Sequence, residues 1–363
     1  MFEIIFLFFL CGYFIQSVIF VIGAKKRFPK LRDDELPSVT VIVAARNEEK
    51  HILACLQSLE NVQYPEDKLQ IIIVDDHSAD ATGIIIDNFI SGKNKFQKIL
   101  ISNDDSKLRG KPRAVDLAIK KADGEIILTT DADCLVKSEW VKTIASYYKN
   151  DVGIVNGYTT QTAKRIFTGM QAIDFIYLLT VASGTVNIGK PISCIGNNMS
   201  FRKKVYEEVG GYENIPFSVT EDFRLLMEIH KLEKYKIIFP LEKDALVTSY
   251  PCENFSELFH QKKRWAVGGL DVPFRGYFIM FWGFFTNLFM LLTPLFFSPA
   301  WLYLFFFKLA IDFFVLYPVH SKLGIQKNLK YFIAYQTYFL VYVVLLPFIV
   351  LLSRKVSWKG RSY

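Results

Sequence analysis

Cysteine and histidine are scarce in this 363-residue chain, with five of each, and their spacing excludes two common kinds of site. No two cysteines have the Cys-x-x-Cys spacing of a zinc site, and nothing suggests a disulfide framework, so we expect a reducing compartment. His77 and His260 have no metal-ligand spacing and are interpreted as structural. The cysteines are Cys11, Cys55, Cys134, Cys194 and Cys252.

The sequence also lacks the features of a nucleic-acid-binding protein. The formal net charge is +7, but there is no basic helix with interleaved aromatic residues and no recognisable nucleic-acid-binding module. Many of the basic residues instead flank apolar segments, where anionic lipid attracts them. We therefore expect a lipid bilayer, and no nucleic acid, among the partners.

Charge is absent from residues 4–22, an apolar run long enough to cross the ~30 Å hydrocarbon core as a helix. A signal peptide is the alternative, but the run has no basic region before it and is longer than a signal peptide requires. By the positive-inside rule, the basic residues that follow place the rest of the chain in the cytoplasm and the amino terminus outside. These residues are Lys25, Lys26, Arg27, Lys30 and Arg32.

Three further apolar stretches of spanning length lie near the carboxyl terminus, at 277–297, 299–318 and 331–352. Within them only Lys308 and Asp312 are charged, and at this spacing they can pair on one helix face or mark a protein-lined path. Four spans would leave one group of basic residues outside, against the positive-inside rule, unless Pro294, Ser298 and Pro299 make a hairpin that does not fully cross. The conflicting residues are Arg354, Lys355, Lys359 and Arg361, whereas Lys322, Lys327 and Lys330 would lie inside.

Between the apolar ends, short β-branched runs alternate with helical patterns, which predicts parallel βαβ units. The strands are expected at 38–45, 69–74, 98–102, 126–131 and 152–158, and the helices at 80–89, 111–122 and 138–149. Asn47 is a plausible N-cap for the helix after the first strand. Because the carboxyl ends of parallel strands share one edge, Ala44, Asp76 and Asp131 are expected to lie along it.

Two carboxylates, Asp131 and Asp133, lie at the carboxyl end of the strand expected at 126–131. Mg²⁺ or Mn²⁺ takes oxygen ligands, keeps several waters and bridges protein carboxylates to substrate phosphates, so the pair is a candidate metal site. The alternative is a solvated turn. A phosphate-bearing ligand would bring more negative charge than one divalent ion cancels, and Lys111 is placed to supply a further cation.

Three later segments also carry candidate residues. The apolar segment 165–187 is interrupted by polar residues and is expected on the membrane surface or under the catalytic domain. Thr220 precedes Glu221 and Asp222 as a possible N-cap. In the helical stretch 256–268, the expectation is that one face points into a cleft and the other, with Lys262 and Lys263, towards lipid headgroups. The cleft-facing residues are Gln261, Arg264 and Trp265.

Eight pieces of the sequence, in this order along the chain, resemble one family. They are Pro-Ser-Val-Thr-Val-Ile-Val-Ala-Ala-Arg-Asn-Glu-Glu, Ile-Val-Asp-Asp-His-Ser, Gly-Lys-Pro-Arg-Ala-Val-Asp-Leu-Ala, Thr-Asp-Ala-Asp, and downstream Gly196-Asn197-Asn198, Val209-Gly210-Gly211-Tyr212, Thr220-Glu221-Asp222 and Gln261-Lys262-Lys263-Arg264-Trp265. Over roughly 37–270 the chain resembles family 2 glycosyltransferases with the GT-A fold, in particular membrane-bound members such as cellulose, chitin and hyaluronan synthases.

The resemblance implies roles for individual residues. Donor binding would involve Ala44, Arg46, Glu48, Asp76, Lys111, Asp131, Gln261, Arg264 and Trp265, with Asp76 on the uracil, Arg264 on the diphosphate and Trp265 stacked on a sugar. Asp133 and Asp131 would face Mg²⁺ or Mn²⁺. Asp222 matches the family's base and Glu221 is its neighbour, while Gly196-Asn197-Asn198 would lie near the acceptor. The family usually has asparagine at the position of Asp116, and Asp75 is equally well explained as a strand-end cap.

The sequence thus predicts an α/β GT-A (Rossmann-like) cytoplasmic domain with one amino-terminal and about three carboxyl-terminal transmembrane helices. The predicted segments are an anchor at 1–24, a basic linker at 25–36, a glycosyltransferase domain with interfacial helices at 37–270 and a membrane region at 271–363. The predicted protein lies in a bacterial inner membrane and adds a β-linked sugar from a UDP-sugar to a polysaccharide, with a second copy or an export partner completing a conduit. The alternatives are a glycolipid synthase and a non-catalytic nucleotide-sugar-binding protein.

Overall fold

A computed structural model describes residues 1–101, 108–216, 218–296, 298–358 and 361–362. The chain divides into two compact units. The first, here called the sheet unit, comprises 27–160 and 194–250, and the second, the helical unit, comprises 1–26, 161–193 and 251–363. The range 37–270 contributes to both units. Three residues of the sequence predictions lie outside the described residues: Ser102 at the end of an expected strand, Phe297 at the end of an apolar stretch, and Lys359.

The helices carry labels in chain order. They are α1 (Phe2–Ala24), α2 (Ile52–Glu60), α3 (Thr82–Ile90), α4 (Lys111–Lys120), α5 (Trp140–Ala145), α6 (Ile166–Asn187), α7 (Lys203–Glu208), α8 (Gly211–Asn214), α9 (Glu221–Lys231), α10 (Phe255–Gly268), α11 (Phe274–Leu292), α12 (Pro299–Leu323) and α13 (Phe332–Leu352). The strands are β1 (Val39–Ala45), β2 (Leu69–Asp75), β3 (Phe96–Leu100), β4 (Ile126–Asp131), β5 (Cys134–Leu135), β6 (Val152–Asn156), β7 (Thr159–Gln161), β8 (Met199–Arg202), β9 (Lys236–Ile238), β10 (Val247–Ser249), β11 (Ser357–Trp358) and β12 (Arg361–Ser362).

Within the described residues, the sheet unit contains a seven-stranded sheet in the order β3-β2-β1-β4-β8-β6-β9. The strands β1 to β4 are parallel, and β8 is antiparallel to both of its neighbours. A smaller sheet has the order β5-β10-β7. The predicted α/β class with parallel βαβ units is confirmed.

Alternation along the β-branched strands supplies two apolar faces. Val41 and Val43 of β1 pack with α2, α3 and α5, whereas Ile42 packs on the other face with α4, α7 and α9. All three side chains are fully buried. Because both faces are covered, the polar residues at the strand ends are left at the sheet edge, where ligands bind in open α/β folds.

In the helical unit, five helices among the described residues are long and apolar enough to cross a membrane: α1, α6, α11 with its following turn, α12 and α13. The helix α6, which was expected on the membrane surface or under the catalytic domain, is covered by α1, α12 and α13. Its contact with α1 depends on glycine, because a β-carbon at Gly23 would lie 2.1 Å from the carbonyl oxygen of Gly184.

Chain connectivity argues against a membrane crossing by α6. The chain up to residue 160 and again from residue 194 belongs to the sheet unit, which contains β6 and β8 as paired strands. If α6 crossed, residues 188–193 would have to recross the ~30 Å core, whereas six residues reach only about 20 Å and leave backbone groups without partners in lipid. Length and hydropathy therefore do not make α6 a span.

The predicted pairing of Lys308 with Asp312 is confirmed. The Lys308 ammonium lies 2.7 Å from Asp312 Oδ2, and both side chains are buried within the helical unit. Gln336 accepts a hydrogen bond from Lys308 at 2.6 Å and donates one to Asp312 at 2.8 Å, and Tyr13 donates to the other carboxylate oxygen at 2.7 Å. The neighbouring helices thus satisfy both charges.

Candidate active site

The carboxyl ends of β1, β2 and β4 place acidic side chains along one edge of the sheet unit. Ala44 is in register with Asp131 on one side, and Ala45 is in register with Asp75 on the other. Asp76 follows directly, and its backbone N–H donates to Ala45 O at 2.9 Å. The predicted alignment of strand ends is therefore present.

Lys111 joins two acidic groups at this edge. It is the first residue of α4, after Gly110, whose φ of 67° suits glycine. Its ammonium donates a hydrogen bond to Asp131 Oδ1 and lies 3.9 Å from Glu221 Oε1. Burial alone would lower the pKa of Lys111, but the charges of Asp131, Glu221 and Asp222, with the hydrogen bond to Asp131, raise it above its usual value.

Asp222 lies against the loop that begins at Gly196. A β-carbon at Gly196 would meet Asp222 Oδ2 at 3.0 Å and Asp222 Cβ at 3.2 Å. The hydroxyl of Thr129, in β4, donates to the Gly196 carbonyl at 2.8 Å. Thr220 occupies the N-cap position of α9, but its side chain makes no capping hydrogen bond. Glu221 and Asp222 are the first two residues of the helix. The structure thus brings Asp131, Lys111, Glu221, Asp222 and the Gly196 loop together.

The loop after β1 differs from its prediction. Asn47 does not cap α2, which begins at Ile52; it has a φ of 52° and its side chain accepts from the Ala79 N–H at 2.9 Å. The Glu48 N–H donates to Thr82 Oγ1 at 2.7 Å, so two loops are tied together. This left-handed turn allows the loop after β1 to contact the start of α3.

Arg46 and Asp76, both predicted at the nucleoside, are close to one another. Arg46 Nη1 lies 3.7 Å from Asp76 Oδ2 and donates to the Asp76 carbonyl at 3.4 Å. The neighbouring Asp75 instead accepts from the Ser78 N–H at 3.0 Å, consistent with the strand-end cap. The ordinary side-chain chemistry of a turn therefore explains Asp75, whereas Arg46 and Asp76 remain donor-site candidates.

Asp116 has structural partners. It is buried, accepts a hydrogen bond from Tyr206 Oη at 2.6 Å and pairs with Lys120 at 2.8 Å. The Tyr206 hydroxyl also accepts from the Tyr212 N–H at 2.9 Å, which ties α4 to α7 and α8. These contacts account for a carboxylate at a position where the family usually has asparagine.

Two buried thiols form hydrogen bonds to the loop that carries the metal candidates Asp131 and Asp133. The sequence analysis did not identify these thiols as partners of the site. Cys134 Sγ donates to Asp133 Oδ1 at 3.5 Å, and Cys55 Sγ donates to the Asp131 carbonyl at 3.7 Å. Burial, followed by the charges of Asp133 and Asp131, raises the pKa of both thiols. They therefore remain protonated donors at neutral pH. The adjacency of Cys134 to Asp133 was the available signal.

The donor set fits a hard divalent ion that also binds substrate. Among the described residues, no group of three or more histidine, cysteine, aspartate or glutamate side chains could hold a metal. Asp131 and Asp133 are partly exposed carboxylates, and Mg²⁺ or Mn²⁺ commonly takes only one or two such ligands while water and phosphate supply the rest. A metal at this position would therefore depend on bound diphosphate.

The remaining donor candidates belong to α10 in the helical unit. Lys262 was expected to face lipid headgroups, but it is buried, forms an ion pair with Asp174 and lies 4.3 Å from the centroid of the Trp265 ring. Trp265 also packs on Phe175, with ring centroids 5.5 Å apart. The expected division of α10 into a cleft face and a lipid face is thus wrong for Lys262. Gln261 and Arg264 are partly exposed on this helix.

Comparison with known proteins identifies the class. The model of glycosyl transferase family 2 matches residues 40–210, and that of glycosyl transferase family group 2 matches 126–353. The second match covers more than half of the chain, which therefore belongs to the family 2 glycosyltransferases.

Relatives of several kinds share this sequence pattern. The chain is 30% identical over 258 residues to a probable glycosyltransferase, YdaM, of Bacillus subtilis, covering 69% of this chain and 60% of that protein. It is 26% identical to a beta-monoglucosyldiacylglycerol synthase of Trichormus variabilis, covering 69% and 52%, and 27% identical to a poly-beta-1,6-N-acetyl-D-glucosamine synthase of Staphylococcus aureus, covering 73% and 62%. The chain thus spans between 52% and 62% of the length of these relatives.

A solved structure shares the fold. A mannosyltransferase of Pyrobaculum calidifontis, solved in complex with GDP-Man and Mn²⁺, superposes with a TM-score of 0.59 at 20% identity, covering 94% of this chain and 99% of that one. The GT-A fold expected from the sequence is therefore present, and the described part of the chain adds five helices long and apolar enough to cross a membrane.

Proposed function

We propose that the protein is an inverting glycosyltransferase that transfers a sugar from a UDP-sugar to a membrane-associated acceptor, with a β-linkage. The observation that carries the proposal is the grouping of Asp131, Lys111, Glu221 and Asp222 at the carboxyl edge of the sheet, with Gly196 beside Asp222. A carboxylate base and a cation are the groups that direct displacement of a nucleotide diphosphate requires.

In the proposed reaction, an acceptor hydroxyl approaches the anomeric carbon of the donor near Gly196. Asp222 takes the hydroxyl proton while the acceptor oxygen forms the new bond to that carbon. The bond from the anomeric carbon to the diphosphate oxygen breaks, and its electron pair leaves with UDP. Lys111 stabilises the departing charge, and Glu221 helps to hold the Lys111 ammonium in place. A divalent ion held by Asp131 and Asp133 would add electrostatic stabilisation of the diphosphate when bound.

The donor site of the proposal extends over two further groups of residues. Ala44, Arg46, Glu48 and Asp76 are assigned to the nucleoside, and the Arg46–Asp76 contact supports their grouping. Gln261, Arg264 and Trp265 of α10 are assigned to the diphosphate and the sugar. We assign the catalytic domain to 37–270, with the anchor at 1–24, the linker at 25–36 and the membrane region at 271–363.

Two acceptor classes fit a membrane-integrated enzyme. A growing polysaccharide is favoured by the Gln-x-x-Arg-Trp sequence, and one relative is a poly-beta-1,6-N-acetyl-D-glucosamine synthase. A lipid acceptor is the alternative, since another relative is a beta-monoglucosyldiacylglycerol synthase and a lipid needs only access from the bilayer. Nucleotide-sugar binding without catalysis is the third candidate. The joint presence of four residues, Asp131, Asp133, Asp222 and Arg264, argues against it.

The proposed location is a bacterial inner membrane with the catalytic unit in the cytoplasm. The five basic residues that follow α1 support this orientation through the positive-inside rule.

The deciding experiment measures UDP release by the full-length protein in nanodiscs, with Mg²⁺ or Mn²⁺, across a panel of UDP-sugars and with GDP-Man as a comparison. Each donor is tested with and without lipid extract, and products are analysed by mass spectrometry. A ladder of added sugars would support the polysaccharide acceptor, and a single sugar on lipid would support the glycolipid alternative. Metal-dependent release of GDP alone would refute the UDP assignment, and no release from any donor would refute transfer.

A further inference from the structure

Polar side chains in the first turns of α6 and just before it form hydrogen bonds to the backbone of the segment that leads into α10. Gln171 Oε1 accepts from the Cys252 N–H at 3.0 Å, and Gln171 Nε2 donates to the Cys252 carbonyl at 3.2 Å. Arg165 donates to the Glu253 carbonyl at 3.1 Å. A side-chain amide that bonds to both the backbone N–H and the backbone carbonyl of one residue holds that residue in place. The helix α6 therefore fixes the position of the residues that precede α10.

One turn further along α6, Asp174 accepts two charge-assisted or strong hydrogen bonds. Its Oδ2 pairs with the Lys262 ammonium, and its Oδ1 accepts from Tyr342 Oη of α13 at 2.7 Å. Asp174 is fully buried and Lys262 is 6% exposed. A buried carboxylate and ammonium of this kind hold one geometry, because separating them would leave two charges without partners in an apolar surrounding.

The same ammonium touches the motif tryptophan. Lys262 Nζ lies 4.3 Å from the centroid of the Trp265 ring and 5.2 Å from that of Tyr342, within the range of cation–π attraction. On α6, Phe175 lies next to Asp174 and packs against the same indole, with centroids 5.5 Å apart. Asp174 thus acts on Trp265 through Lys262, and Phe175 acts directly.

We infer that Asp174 is a positioning residue for donor binding: through Lys262 it sets the orientation of Trp265 and of the α10 helix that carries Arg264. The inference rests on the proposed function, in which Trp265 and Arg264 bind the donor. In the proposed site, Asp174 and Lys262 do not themselves touch the donor. Their contribution is to hold Trp265 and Arg264 in the orientation in which these two residues bind the donor.

The chain supplies a matched control for this inference. Lys308 and Asp312 form a second buried ion pair in the helical unit, and the hydrogen-bond partners described above for this pair belong to α1, α12 and α13. The double variants Asp174→Asn/Lys262→Met and Asp312→Asn/Lys308→Met each remove one buried pair. A role in general stability predicts equal effects, whereas a positioning role predicts that only the first pair alters donor binding.

The test uses full-length protein in nanodiscs and measures the donor KM, kcat, the unfolding temperature and the fluorescence emission of Trp265. The emission of Trp265 is obtained by subtracting the spectrum of the corresponding Trp265→Phe protein. We expect Asp174→Asn/Lys262→Met to shift this emission and to raise the donor KM about tenfold with a much smaller change in kcat, because misplaced binding groups lose affinity. The control pair should leave both values near wild type, and Lys262→Arg, which keeps the cation, should largely preserve them.

Equal changes in KM for the two pairs, or an unchanged Trp265 emission in the first, would overturn the inference. If Asp174→Asn/Lys262→Met does not fold, Tyr342→Phe removes only the hydroxyl bonded to Asp174; it should shift the emission and raise the KM in the same direction, and no change in either would also overturn the inference. If the wild type transfers no sugar, the proposed function fails, and the emission comparison still decides whether the Asp174–Lys262 pair orients Trp265.

Discussion

Asp222 lies so close to Gly196 that a β-carbon added there would stand 3.0 Å from its carboxylate oxygen Oδ2. The Gly196 carbonyl is in turn held by the Thr129 hydroxyl of β4, two residues before Asp131. One short path of contacts therefore connects the strand that carries the metal candidates with the residue proposed as the base. A change at Gly196 should reach that base directly.

Replacing Gly196 with alanine should reduce turnover about 10- to 100-fold, because the added methyl group displaces the Asp222 carboxylate by a few tenths of an ångström or more. The unfolding temperature should change little. The control is Gly283→Ala, where a β-carbon meets nothing within 4 Å. Steady-state kinetics and thermal unfolding of both variants provide the measurement, and wild-type kcat in Gly196→Ala would contradict the proposed position of the base.

Asp222→Asn should abolish sugar transfer while nucleotide still binds. The amide keeps the size of the side chain but cannot take the acceptor proton at neutral pH. Transfer is followed by product mass and UDP affinity by titration calorimetry. Turnover close to wild type in this variant would remove Asp222 from the mechanism.

Lys111→Met should weaken nucleotide binding and lower turnover about 100-fold, because it removes the cation beside Asp131 and Glu221. Lys120→Met is the control on the same helix, since Lys120 is half exposed and pairs with Asp116 and Glu213. If Lys120→Met lowered turnover as much as Lys111→Met, a general effect on α4 would replace the proposed role.

The contribution of Lys111 to the stability of the folded protein should depend on pH in a definite direction. The folded-state pKa of Lys111 is raised, so its stabilising effect is complete below the ordinary lysine pKa of about 10.4 and is lost only as pH rises through the higher folded value. The difference in unfolding temperature between wild type and Lys111→Met should therefore stay constant from about pH 6 to 9. A difference that disappears within this range would contradict the assigned pairing.

The double variant Lys263→Cys/Ser353→Cys should be linked by a short bifunctional maleimide. Lys263 Nζ donates to Ser353 Oγ at 3.2 Å, so the end of α13 lies beside α10 within the helical unit. The 14-residue α10 is about 21 Å long, too short to cross the bilayer. Arg354 and Lys355, which follow Ser353, would then lie on the same side as α10.

The positive-inside rule is satisfied when Arg354 and Lys355 lie on the same side as α10. This requires that α11, α12 and α13 together cross the membrane an even number of times, as the hairpin alternative allowed. The two single variants, Lys263→Cys and Ser353→Cys, and the wild type, which contains five native cysteines, serve as controls for the linking. Labelling of the thiol introduced by Ser353→Cys only from the face opposite α10 would contradict this arrangement.

Local sequence patterns determined where the strands lie and which candidate site residues stand at their carboxyl ends. The β-branched runs of β1, β2 and β4 favour strands buried in a sheet, and the polar residues that stop each run mark its end. The edge that carries Asp76, Asp131 and Lys111 was predictable for that reason. The pairing of Lys308 with Asp312 was also local, since four residues make one helical turn.

Tertiary structure alone decided which partners cover a given face. Helical periodicity placed Lys262 opposite Gln261 and Arg264 but could not show that Asp174, 88 residues earlier, would bury its charge. The left-handed turn at Asn47 and the contact of Asp116 with Tyr206 depend in the same way on loops and helices distant in sequence. The sequence specifies faces and ends through short-range periodicity, whereas the choice of partner depends on contacts that only the folded chain makes.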